Sequence, residues 1–401
     1  MQTIPRFILF LTLSLALSLT GCADYRTAQA PVIESLEPES STPLTEEFPP
    51  TEEFSPAEEP PSTQAAALPD GIANAESDTS VMEPEKITVT ITAAGDVTMG
   101  NYVGQDYTWS FREMYDTTDD KNYFFENVYD IFSQDDMTIV NLEGVLTFSE
   151  ELNPGRTYNI KGDPEYAKLL TYGSVEAVSM ANNHRLDFGE NGTKDTLAAL
   201  EPTGIVYAYD NNVGIYETKG IRIGFVSVNE IGWGKGIEQQ MKDGIAKLQE
   251  EEVDLILACC HWGIEREFYP TDFQQEFGRE CIDWGADLVI GHHPHVLQGV
   301  EEYQGKYIIY SLANFCFGAN RNPSDKDTMI AQQTFTFVDG EKQEETEFRV
   351  IPCSISSTSS RNDYRPTPAE GDEASRIIGR LNEYSEGFGL QFDENGYVIT
   401  P

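Results

Sequence analysis

Along the chain, short apolar runs repeatedly stop at a polar or charged group, and stretches with helical spacing of apolar residues lie between several of them. Residues 87–94 alternate and then turn apolar, predicting a first strand that stops at Gly95-Asp96. Residues 137–140 lead into Asn141-Leu142-Glu143-Gly144, 175–180 into Asn182-Asn183-His184, 253–260 into His261-Trp262-Gly263, and 286–290 into Gly291-His292-His293-Pro294-His295. Each reads as a buried strand ending at a candidate functional group. Further strands are expected at 205–209, 221–228 and 307–312, and helices over 192–200, 237–250, 273–284 and 373–385, with a helical region at 123–132. Residues 329–338 and 347–355 read as an antiparallel pair closing the sheet. Strands alternating with helices of this length imply βαβ units and a substantially parallel sheet, whose sites form beyond the carboxyl ends of the strands.

The pattern divides the chain. In residues 1–22, Arg6 precedes an apolar run at 7–19, and Leu19-Thr20-Gly21-Cys22 follows, which resembles a bacterial lipoprotein signal cleaved before a lipidated Cys22. The run is short for a membrane span, so the expected anchor is lipid on Cys22, at the extracytoplasmic face of the cell membrane. Residues 23–85 hold 15 acidic residues against one basic, Arg26, in a Pro/Ser/Thr/Glu-rich background. Such a segment self-repels and buries little, so it is expected to be a disordered tether. Residues 86–360 are expected to form the folded domain and 361–401 a C-terminal helix and tail.

A formal charge of −42 argues against nucleic-acid or anionic-lipid partners, which require a basic face. Six cysteines less Cys22 leave an odd number, so no disulfide framework is implied; Cys259 and Cys260, inside an apolar run, read as small buried residues. All five histidines, His184, His261, His292, His293 and His295, follow apolar segments at turns. With Asp96, Glu143 and Asn183 they make a mixed oxygen and nitrogen set suited to borderline divalent ions such as Mn, Zn or Fe.

Six ordered blocks carry a family resemblance: Ala94-Gly95-Asp96, Asn141-Leu142-Glu143-Gly144, Asn182-Asn183-His184 with Asp187, His261-Trp262-Gly263 with Glu265, residues 291–298, and Ser311-Leu312-Ala313-Asn314-Phe315. Over residues 87–320 the chain resembles the capsule synthesis protein CapA family of poly-γ-glutamate synthesis, related to calcineurin-like metallophosphatases. The resemblance implies a four-layer α/β/β/α sandwich with metal at the strand ends. It implies Asp96 and His295 on one ion, Asn183, His261 and His293 on a second, and Glu143 bridging. It makes His184 the candidate general acid, with Asp187 either orienting that ring or capping the turn. Two positions depart from the family pattern. Thr98 stands where Asp-x-His would supply an imidazole, which leaves one ion or two open, and Ala313 replaces a glycine. His292 is expected outside the ligand set, either behind it or exposed.

The expected role is an extracytoplasmic lipoprotein of capsule or poly-γ-glutamate synthesis, meeting an anionic envelope polymer and membrane synthase components. The alternatives are a non-catalytic polymer-binding or assembly component and a metal-dependent phosphoesterase or amide hydrolase acting on another envelope substrate. Whether it is an enzyme is open at this level. Arg185, Arg266 and Arg321, near the motif loops, are candidate cations for an acidic polymer.

Overall fold

In a computed structural model, residues 84–399 are described; the targeting segment, Cys22, nearly all of the acidic tether and the end of the tail lie outside them. The strand Lys86–Thr98 shows how side-chain alternation builds the layers. Val89, Ile91 and Ala93 enter one apolar cluster, whereas Ala94 and Val97 enter another on the opposite face. Positions 94 and 97 share a face only because the pairing with Met137–Leu142 shifts register between Ala93 and Asp96. That bulge reverses the alternation and turns Asp96 toward the second sheet. The strand therefore continues through Gly95-Asp96 to Thr98 instead of stopping there, held by parallel pairing to Asn314–Phe317.

The first sheet has nine strands, with Lys86–Thr98, Met137–Leu142, Ala177–Ser179 and Val206–Ala208 running parallel in that order. Asp327–Val338 pairs antiparallel with both Lys86–Thr98 and Glu347–Ser354, so the expected antiparallel pair extends this sheet. The second sheet has six strands and a parallel centre of Ile221–Asn229, Leu255–His261, Leu288–His292 and Lys306–Ile309. A small three-stranded sheet, Asn101–Tyr102, Val145–Leu146 and Ile160–Gly162, stands beside the strand ends.

The main core lies between the two large sheets, where Ile139, Ile223, Leu257, Ile290 and Phe335 meet. A second core joins the outer face of the first sheet to helices that include Ala167–Tyr172 and Gly189–Leu200. A third joins the second sheet to Ile237–Glu250 and Asp272–Trp284. The result is the expected α/β/β/α sandwich. Region 123–132 is helical only in the short turns Lys121–Phe124 and Tyr129–Phe132, because Phe124, Phe125, Val128 and Phe132 are all buried and packing overrides one continuous helix. Helix Gly371–Ser385 sends Ile377, Ile378 and Leu381 into the inter-sheet core. Among the described residues no helix is long and apolar enough to cross a membrane.

Candidate functional site

Parity along the central strands aims the functional groups. In Leu255–His261, Leu255, Leu257 and Cys259 face the inter-sheet core while Ile256, Ala258 and Cys260 face the helices, so His261 falls on the inter-sheet side. Leu288 and Ile290 do the same for His292. His292 is buried, and its Nε2 donates to the Ala94 carbonyl at 3.2 Å, tying the second sheet to the first. It therefore stands behind the cluster; the exposed alternative is excluded. Gly291 is required where it is, because a Cβ there would lie 2.1 Å from the Tyr310 carbonyl oxygen.

Beyond the strand ends the predicted residues converge. His261 Nε2 lies 2.9 Å from Asn183 Oδ1 and 3.1 Å from His293 Nδ1. Glu143 Oε1 sits among three rings, 3.8 Å from Nε2 of His184, 3.9 Å from Nε2 of His261 and 3.8 Å from Nε2 of His295. His295 Nδ1 and Asp96 Oδ2 approach to 3.1 Å, yet each lacks a hydrogen-bond partner, because they are misaligned on one another. Both Glu143 oxygens and Asn314 Oδ1 are also buried without partners. His184 Nδ1 lies 2.7 Å from Asp187 Oδ2, which also accepts from the Ile160 amide at 2.6 Å. Asp187 thus both orients the ring and fastens a neighbouring strand.

Burial and the neighbouring imidazoles, His293 first, hold His261 well below the usual histidine range. Burial and His295 bring His293 down to about 3. Both rings are neutral at pH 7 and offer lone pairs. Burial also works against charge on His295, but Glu143 and Asp96 outweigh it and carry that ring up to about 9. Burial pushes Glu143 up to about 7, opposed by His295. His184 is raised: burial opposes its charge, and Asp187 with Glu143 overcomes that.

Three groups that the fold delivers here carried no ligand assignment from the sequence. Asn141 donates to Asp96 Oδ1 at 2.8 Å and lies 3.3 Å from His261 Nδ1, so it spaces the two halves of the cluster. Asn314 adds its free oxygen. Glu265 brings a carboxylate oxygen within 4.8 Å of ring nitrogens of His293 and His295. Inward parity could have flagged Asn141; Glu265 sits on a loop and gives no periodic signal. Thr98 is buried with an unpartnered hydroxyl. Arg185 is removed from the candidate cations, since it pairs with Asp210 at 2.5 Å and packs over Tyr209.

The cluster floors an open cavity of about 670 Å³, walled by Trp109, Tyr158, Arg266, Arg321 and Arg361. Two helix-covered sheets carrying carboxylates, amides and imidazoles at adjoining strand ends define an α/β fold of the metallophosphatase-like class. The chain belongs to the bacterial capsule synthesis protein PGA_cap family, whose model matches residues 90–319. It is 28% identical over 246 residues to the PGA biosynthesis protein CapA of Bacillus subtilis (strain 168), covering 56% of this chain and 62% of that one. It is 27% identical over 275 residues to the capsule biosynthesis protein CapA of Bacillus anthracis, covering 62% and 64%. The chain thus spans less than two thirds of the length of either relative. A hypothetical protein from Thermus thermophilus matches 66% of this chain and 99% of its own, with a TM-score of 0.41 and 15% identity.

Proposed function

We propose that the chain serves capsule or poly-γ-glutamate synthesis outside the cell, anchored by lipid on Cys22, with divalent cation at the strand-end cluster. Family membership supports the biological role. The observation that carries the site is the convergence of buried, partnerless atoms: Asp96 Oδ2, both Glu143 oxygens, His295 Nδ1 and Asn314 Oδ1. A buried acceptor without a partner costs about 1–3 kcal/mol, and a cation among several of them relieves that cost together.

Asp96 and His295 fit one ion, and Asn183, His261 and His293 fit a second, with Glu143 between them; Asn314 and Glu265 extend the donor set. The neutral imidazoles of His261 and His293, with carboxylate and amide oxygens, suit Mn, Zn or Fe. Thr98 leaves the first position poorer in nitrogen, so the second is expected to fill first. A divalent cation held here supplies Lewis-acid polarisation of a phosphoryl or carbonyl oxygen. Asp187 accepts from Nδ1 of His184, so the proton that ring can pass to a leaving group is held at Nε2, facing the cavity.

The test is metal content of the purified full-length chain, followed by turnover of a generic phosphodiester and of poly-γ-glutamate. His261→Ala and His293→Ala are each expected to weaken metal binding by roughly a hundredfold or more, beyond the 10- to 100-fold typical of outer partners. Unchanged occupancy in both variants sinks the site. The second reading, a polymer-binding or assembly component without catalysis, is motivated by Thr98. Full metal occupancy with no turnover of either substrate selects it.

A further inference from the structure

We infer that Arg266 and Arg361, assisted by Arg321, form a carboxylate-recognising clamp in the wall of the cavity above the histidine cluster, and that its ligand is a short segment of an acidic polypeptide. The inference rests on the polymer reading above and specifies how the same site would recognise that polymer. The chain has 68 acidic residues against 26 basic, so a guanidinium has ample carboxylates to pair with. Ten of the twelve arginines among the described residues do engage a carboxylate or carbonyl through their side chains. Arg266 and Arg361 are the two whose guanidinium groups make neither ion pair nor hydrogen bond among the described residues, and both line this cavity.

Their positions are built by the fold. Arg266 has a left-handed backbone, φ 66°, and its amide donates to the Pro294 carbonyl at 2.8 Å, so its loop is pinned to the turn carrying His293 and His295. Arg361 lies over the ring of Trp109 at 5.6 Å, on the opposite loop system. Arg321 donates to the Thr108 carbonyl at 3.0 Å and pairs with Asp106 at 3.6 Å, which steadies that loop at the rim. Guanidinium matches a carboxylate with two parallel hydrogen bonds, and stacking on an aromatic face lowers the entropy lost on doing so. Exposed Trp109 and Tyr158 offer apolar faces to the methylenes between successive carboxylates. A cavity of about 670 Å³ falls in the range of single small-ligand sites, so a few residues of chain enter while the rest stays in solvent.

The test titrates short γ-linked oligoglutamate, and separately polyphosphate, into the full-length chain by calorimetry, with metal content measured in each sample. Arg266→Gln and Arg361→Gln are each expected to weaken oligoglutamate binding about tenfold, the scale of one charge-assisted hydrogen bond, and the double variant more. Arg349→Gln, whose guanidinium bonds Asn395 and stacks on Tyr397 away from the cavity, is expected to bind as the wild type does. If the wild-type chain binds oligoglutamate and the two cavity variants bind it equally well with metal retained, the clamp is overturned while the polymer reading stands. If the wild-type chain does not bind oligoglutamate, both fall. Tighter, arginine-dependent binding of polyphosphate overturns the assignment to a carboxylate chain.

Discussion

Ala313 takes φ 65°, a left-handed conformation that costs a non-glycine residue about 1–2 kcal/mol. Its carbonyl accepts the Asp96 amide at 2.9 Å, so the strained residue fixes the backbone of a cluster carboxylate. Arg266, His293 and His295 also have positive φ, at 66°, 95° and 59°, so three further residues around the site hold left-handed backbone. Ala313→Gly relieves that strain at some gain in unfolded-state entropy, and is expected to raise stability by up to about 1 kcal/mol, read as a higher urea midpoint at constant slope. Gly95→Ala acts oppositely. Its Cβ would lie 2.0 Å from the Ala313 oxygen, so a loss of about 3 kcal/mol is expected, with weakened metal binding as Asp96 shifts.

Among the elements, Asp272–Trp284 begins with a reciprocal cap in which the Thr271 hydroxyl accepts from the Gln274 amide at 3.2 Å and Gln274 Oε1 accepts from the Thr271 amide at 2.9 Å. Thr271→Ala is expected to cost about 1 kcal/mol in denaturant unfolding, leaving metal content unchanged. The C-terminal helix Gly371–Ser385 is fastened differently, by Arg376 and Arg380 on Asp327, with Arg376 bidentate at 2.6 and 2.7 Å. Burial alone would raise the Asp327 carboxyl, but the two guanidinium groups hold it below the ordinary 3.8. A carboxyl lowered by folding contributes stability that is fully present above its unfolded value and is lost as pH falls through the folded one. Amide-exchange protection in residues 371–385, taken relative to the intrinsic rate at each pH, is therefore expected to fall in acid below about pH 4. In Asp327→Asn that protection should already be reduced at pH 7, without the acid-dependent step.

At the scale of the molecule, the site belongs to neither sheet alone: Asp96, Glu143 and Asn183 come from the first, His261, His293 and His295 from the second. Anchoring through Cys22 predicts that the native protein fractionates with membranes and that Cys22→Ser does not; equal partition of both forms would refute the anchor. The strand-end groups and the helices at 237–250 and 273–284 were legible in the sequence alone, because periodicity and the polar stops of apolar runs are local properties. The edge strands Gly214–Thr218 and Val300–Tyr303 escaped it, since an edge makes fewer contacts and carries a weaker apolar pattern. It took the assembled fold to establish that a bulge turns Asp96 inward, that Ala313 must adopt positive φ, that Arg185 is spent on Asp210, and that Arg266 and Arg361 face one cavity. Those outcomes depend on register between strands and on contacts between loops far apart in the chain, which local spacing does not encode.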